Sequence, residues 1–190
     1  GQEVRGRLDG LTPRLVLELA CARGDDARVA FRDAAYLYEV EIRRGRPRSV
    51  TRTAPDGRFD RGEAALAGLL GAAAGRFVVT PGGGPCACDF DAPLAEVLGP
   101  PVARARAALR ALAPERVAHV AQVSIDVEGI DAYLATSPRD VRSILQRLGA
   151  GVAPIAILAD GTASPRVLAD VLADVARRGA VLAVLGADGE

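Results

Sequence analysis

Four sets of residues in this chain carry side chains fit for chemistry. They are the single histidine His119, the thiols of Cys86-Ala87-Cys88 beside Asp89 and Asp91, the run Gly82-Gly83-Gly84, and the arginines Arg43, Arg44, Arg46, Arg48 and Arg52. Nucleophilic catalysis needs a base within hydrogen-bond reach of a hydroxyl or thiol, and a third group to orient it. Ser124, Cys21 and Cys86 are the partners on offer, and no spacing joins any of them to His119, which reads as an ordinary surface or partly buried residue. Structural zinc wants four ligands, usually as two separated pairs. One Cys-x-Cys pair falls short of that, so Cys86 and Cys88 read as loop cysteines, and with Cys21 they make an odd number of reduced thiols. The glycine run lacks the Gly-Lys-Ser/Thr ending and the immediate helix of a phosphate cradle. No catalytic residue, metal or cofactor is expected.

The arginines are different, because they fall on a projecting hairpin where a guanidinium can grip a carboxylate or phosphate in a fork. They are the candidate partner-binding residues. The competing reading is a solvated hairpin whose charges discourage edge-to-edge aggregation. Glu39 and Glu41 on the same strand argue against nucleic acid there.

Composition narrows the class. The chain has 190 residues, 49% of them hydrophobic and only 4% aromatic, which is enough for a core that must be aliphatic. All 24 basic residues are arginine, balanced by 24 acids, so no global field draws in DNA or anionic lipid. No apolar run reaches the roughly 18 to 20 residues that span a bilayer. A cytoplasmic protein is expected, and an opening at Gly1 without Met suggests an excised piece of something longer.

The elements follow from capping and period. Val4 to Leu8 reads as a strand. Thr12-Pro13 then starts a helix with a buried stripe of Leu15, Val16, Leu19 and Ala20, ended by Gly24. From Arg28 to Arg52 the period is two, with a break at Gly45 and Pro47 and a return strand at Ser49 to Thr53. Asp60 with Glu63 resembles a capping box opening a helix to Gly75, and Arg76 to Thr80 closes the set. Gly82 to Pro85 is the natural linker. Beyond it Pro101 to Leu112 reads as a helix, and Val117 to Ile125 fits helix or strand, with helix preferred. Ser137-Pro138 and Ser164-Pro165 each open a capped helix, closed by Gly149 and Gly179. A short apolar helix at Pro154 to Leu158 lies between them, and a strand follows at Ala180 to Leu185. The prediction is an α+β fold: a small mostly antiparallel sheet with two helices over residues 1–81, a linker over 82–100, and a mainly helical, winged-helix-like region over 101–190.

Gly6-x-Leu8, the capped helix through Leu15 to Ala20, the hairpin from Tyr38-Glu39-Val40 to Arg46, Gly62-Glu63-x-Ala65-Leu66 and Gly75-Arg76-Phe77 together resemble the PATAN domain. That family takes its name from the N-terminal part of PatA-like bacterial response regulators, and the likeness covers about residues 4–80. Asp25-Asp26-Ala27 stands where the family often has Thr-Gly. The resemblance implies a non-catalytic module for protein-protein contacts in bacterial signal transduction, often joined to a receiver domain, with no catalytic residues to carry over. The expected function is therefore docking on a protein partner or a second copy. DNA binding by the C-terminal region is the alternative, weakened by Asp170 and Asp174 on its last helix.

Overall fold

A computed structural model describes residues 1–186. The chain divides into two compact units, Gly1–Val102 and Ala103 onward.

The first unit is the α+β fold that was expected. Its elements are β1 (Val4–Arg7), α1 (Pro13–Ala22), β2 (Ala27–Arg32), β3 (Leu37–Arg43), β4 (Arg46–Thr53), β5 (Phe59–Arg61), α2 (Glu63–Leu70) and β6 (Arg76–Pro81). The strands form one six-stranded sheet in the order β1-β6-β2-β3-β4-β5, antiparallel at every pairing. Alternation does the sorting. Val29 and Phe31 on β2, Val40 and Ile42 on β3, and Phe77 and Val79 on β6 point to one face, where they meet Val16 and Leu17 of α1 and Leu66 and Leu69 of α2.

Several elements depart from expectation, each for a local reason. In α1 the buried stripe is Pro13, Val16, Leu17 and Ala20, while Leu15 and Leu19 are 38% and 59% exposed. This helix carries apolar residues all round, so periodicity could not choose between stripes. Asp60 is not a cap. It lies on β5 and its carboxylate accepts from Arg52 (Nε 3.0 Å, Nη2 2.6 Å), while Gly62 sits at the start of α2 with no side-chain cap.

The expected linker is no loose tether. Gly82 N donates to Asp26 O (2.8 Å), and the Asp89 and Phe90 amides donate to Arg48 O (2.7 and 3.0 Å), on the stretch of β4 that lies beyond β5. After this strap comes α3 (Leu94–Ala111), which begins before the expected Pro101 and runs through Pro100 and Pro101. Leu94, Val97 and Leu98 belong to the first core, so residues 82–100 are part of the first unit.

The second unit places a 3-10 turn (Val117–His119) before β7 (Val120–Ile125), then α4 (Asp131–Thr136), α5 (Arg139–Gly149), α6 (Pro154–Ala159), α7 (Pro165–Arg177) and β8 (Val181–Gly186). The preference for helix over 117–125 is corrected: β7 pairs antiparallel with β8. Register shifts at Val120/Gln122 and Ser124/Ile125 bury Val120 and Val123 at a spacing of three, which imitates a helical period. Ser137 does not cap α5, because its hydroxyl donates to Tyr133 O (2.5 Å). The turn after α5 is made by Gly151 (φ 86°), with Gly149 still helical. Ser164 does cap α7, accepting from Val167 N at 3.3 Å. The core is aliphatic, built on Leu112, Ile130, Ile144, Leu145, Leu148, Ile157, Leu168 and Leu172. Residues 187–190 of the expected C-terminal region lie outside the described residues.

Candidate functional site

The five hairpin arginines separate into two groups. Arg43 reaches back over the sheet. Its Nη2 donates to Gly84 O and lies 3.5 Å from Glu41 Oε2, and its Nη1 lies 3.7 Å from Asp26. Arg48 pairs with Asp91 of the strap. Arg52 is 7% exposed, paired to Asp60, with its guanidinium 4.7 Å above the Tyr36 ring. Gly68 of α2 makes room for it, since a Cβ there would stand 2.8 Å from Arg52 Nη1. Burial pulls the Arg52 pKa down, but the Asp60 hydrogen bond and nearby Tyr38 outweigh it and the net shift is upward. All three are engaged by partners within the first unit. Only Arg44 and Arg46, at the tip, are exposed without a side-chain partner among the described residues.

Beneath the strap lies a charged cluster. Glu41 is 6% exposed, between Arg28 and Arg43. The Arg28 guanidinium is held above its usual range chiefly by its hydrogen bond to Glu41. Glu41 Oε2 and Arg43 Nη1 are buried without a hydrogen bond, though each faces an opposite charge. A latch that ties the strap to the sheet accounts for these contacts.

The other sequence candidates do not assemble. His119 is exposed at the end of the 3-10 turn, with no side-chain partner among the described residues. Cys86 and Cys88 are exposed in the strap, with the Cys88 thiol 3.4 Å from Phe90 O. Their neighbouring carboxylates are engaged, Asp89 by Arg61 Nε (2.9 Å) and Val50 N (3.3 Å), and Asp91 by Arg48. Cys21 is half-buried, and burial pushes its thiol up to about 11, which suppresses the reactive thiolate. No group of three His, Cys, Asp or Glu among the described residues could hold a metal. On α7, Asp174 accepts from Tyr133 Oη (3.2 Å) and Arg177 (3.2 Å), and Arg178 stacks 4.5 Å over the Tyr133 ring.

What the sequence reading missed is the outer face of the sheet, opposite the core. Cross-strand register lays out one row of Arg7 (β1), Arg76 (β6), Arg32 (β2), Leu37 (β3), Thr53 (β4) and Phe59 (β5). The next row holds Arg5, Val78, Ala30, Glu39, Thr51 and Arg61. The strap crosses the far end of this face, where Arg43 donates to Gly84 O beside buried Glu41, and its Asp89 takes Arg61 at the end of the second row. Arg7, Arg32 and Arg76 are exposed, and Phe59 is 58% exposed. Arg7 meets Asp9 (3.0 Å) in an exposed pair, while Arg32 and Arg76 have no partner among the described residues. These residues are scattered over more than fifty positions, so only the pairing register reveals them. Their one sequence signal is that each sits at the end of a strand, in phase with its polar face.

Among the described residues no helix is long and apolar enough to cross a membrane. No protein-family model matches the chain, and neither a curated protein nor a solved structure matches it.

Proposed function

We propose that the chain is a non-catalytic protein-docking module of bacterial signal transduction, working as part of a larger response-regulator-type protein. The observation that supports this reading is the first unit's sheet, with its core on one face and, on the other, exposed arginine and phenylalanine side chains beside half-buried Leu37. Six paired strands hold those side chains at fixed spacings before any partner arrives, which reduces the ordering cost of binding. The PATAN resemblance over residues 4–80 favours the same role and supplies the signalling context. The protein would act in the cytoplasm, on a protein partner or a second copy.

The order α6, turn, α7, β8 in the second unit favours DNA binding as the second reading. The outer side of α7 argues against it, because Asp170 and Asp174 are exposed there and Arg177 and Arg178 already have partners.

Size-exclusion chromatography with light scattering and affinity capture of the full chain tests the proposal. A self-associated species, or a stoichiometric protein complex, is the expected result. A strictly monomeric chain with no captured partner contradicts it. Salt-sensitive binding to mixed duplex DNA, with no protein complex, transfers the function to the second reading.

A further inference from the structure

We infer that the row Arg7-Arg76-Arg32-Leu37-Thr53-Phe59 is the docking surface, and that its occupant is an acidic segment of a partner protein with apolar side chains following its carboxylates. This inference rests on the docking function proposed above and names the partner's chemistry.

The arginine end of the row carries a local conflict of charge. Arg32 and Arg76 are direct cross-strand partners, and Arg7 is the partner of Arg76 on the other side. Strands lie about 4.8 Å apart, so three like charges sit within about 10 Å on one face. Directly opposed like charges destabilise a sheet. Elsewhere on this face the chain resolves such conflicts itself: Arg28 has Glu41 and Arg61 has Asp89. Arg32 and Arg76 are left exposed with no carboxylate of their own, so anionic groups from outside are the complementary charge.

The other half of the row narrows the anion's source. Leu37 and Thr53 continue the line toward Phe59, which is 58% exposed on a three-residue edge strand. A nucleic-acid backbone laid along the row would carry its phosphates onto Leu37 and Phe59, and would pass Glu39 in the adjoining row. A free phosphate would use the arginines and ignore the rest. A polypeptide can match both halves, placing carboxylates on the guanidinium groups and a leucine or phenylalanine against Leu37 and Phe59.

The test uses the full chain and a fluorescent synthetic peptide with a run of glutamates followed by leucine and phenylalanine, read by anisotropy at low salt. Binding that weakens as salt rises, with at least tenfold loss in the double variant Arg32→Glu/Arg76→Glu and a severalfold loss in Phe59→Ser, is the expected result. Arg44→Glu/Arg46→Glu, which reverses the exposed hairpin tip, should bind as the parent does. The reversed row should melt no lower than the parent, which separates lost binding from lost folding. No binding of the peptide, equal binding of its glutamine version, loss only in the hairpin-tip variant, or tighter binding of an oligonucleotide or inorganic phosphate than of the peptide each overturns the inference. A captured protein complex together with a failed peptide leaves docking standing and removes this partner chemistry. Failure of both removes both.

Discussion

At the residue scale, burial and pairing decide which side chains stay available for chemistry. Cys21 shows this directly. With its thiol pushed up to about 11 by burial and the other two cysteines exposed, a thiol reagent at pH 8 should label Cys86 and Cys88 quickly and Cys21 only after denaturant is added. Labelling of all three at one rate in the native chain would refute this. Asp160 gives a pH signature. Hydrogen bonds from Arg147 (2.7 Å) and then Thr162 hold its carboxyl down to about 2 from 3.8. A carboxyl with a lowered folded-state pKa stabilises above its unfolded value and loses that contribution as pH falls through the folded one. The parent should therefore out-melt Asp160→Asn at pH 5 and lose that lead by about pH 2, as thermal melts across the range would reveal. The candidate site was half legible at this scale. Arginine clustering in sequence pointed to residues 43–52, but three of those five bond to Gly84, Asp91 and Asp60, partners at distances no local pattern encodes. Arg32 and Arg76 lie far apart in the chain and become neighbours only through register.

At the element scale, strong local signals carried through. Thr12-Pro13 and Ser164-Pro165 open their helices as read, because a cap and a first-turn proline act within four residues. Errors arose where a distant contact decided. Asp60 could cap or pair, and buried Arg52 took it. Residues 82–91 look like a linker by composition, yet the free edge of β4 beyond β5 offers backbone groups that Asp89 and Phe90 satisfy. The turn between β3 and β4 is a sharper case. Gly45 has φ 70°, and a Cβ there would stand 2.5 Å from Cys21 O and 3.1 Å from Gly24 Cα. Backbone atoms cannot yield as a flexible side chain can, so Gly45→Ala should cost about 3 kcal/mol, near the upper end of backbone strain. Gly10, at φ 84° with nothing within 4 Å, should cost only about 1 kcal/mol when changed to Ala. Denaturant melts of the two variants measure the difference, and equal losses would mean the Cys21 contact imposes no penalty.

At the scale of the whole molecule, the chain is two units with separate cores, the first mixing aliphatic side chains with Phe31, Tyr38 and Phe77 and the second aliphatic, and docking is proposed for the first. Its sheet concentrates packing on one face and leaves ordered, partly uncompensated charge on the other. That division explains why sequence alone gave the class but not the surface: composition and period establish α+β, whereas a surface row is a property of six strands in register. The central claim is that this outer face meets a protein. Thr51 lies on that face between Glu39 and Arg61, half-buried and clear of the arginine row, and Arg23 is exposed at the end of α1. The most direct measurement is photo-cross-linking in bacterial cells from an unnatural residue placed at Thr51 or, separately, at Arg23 of the full chain. Protein adducts from position 51 that are absent from position 23 are the predicted result; adducts from position 23 alone, or from neither, would contradict the account.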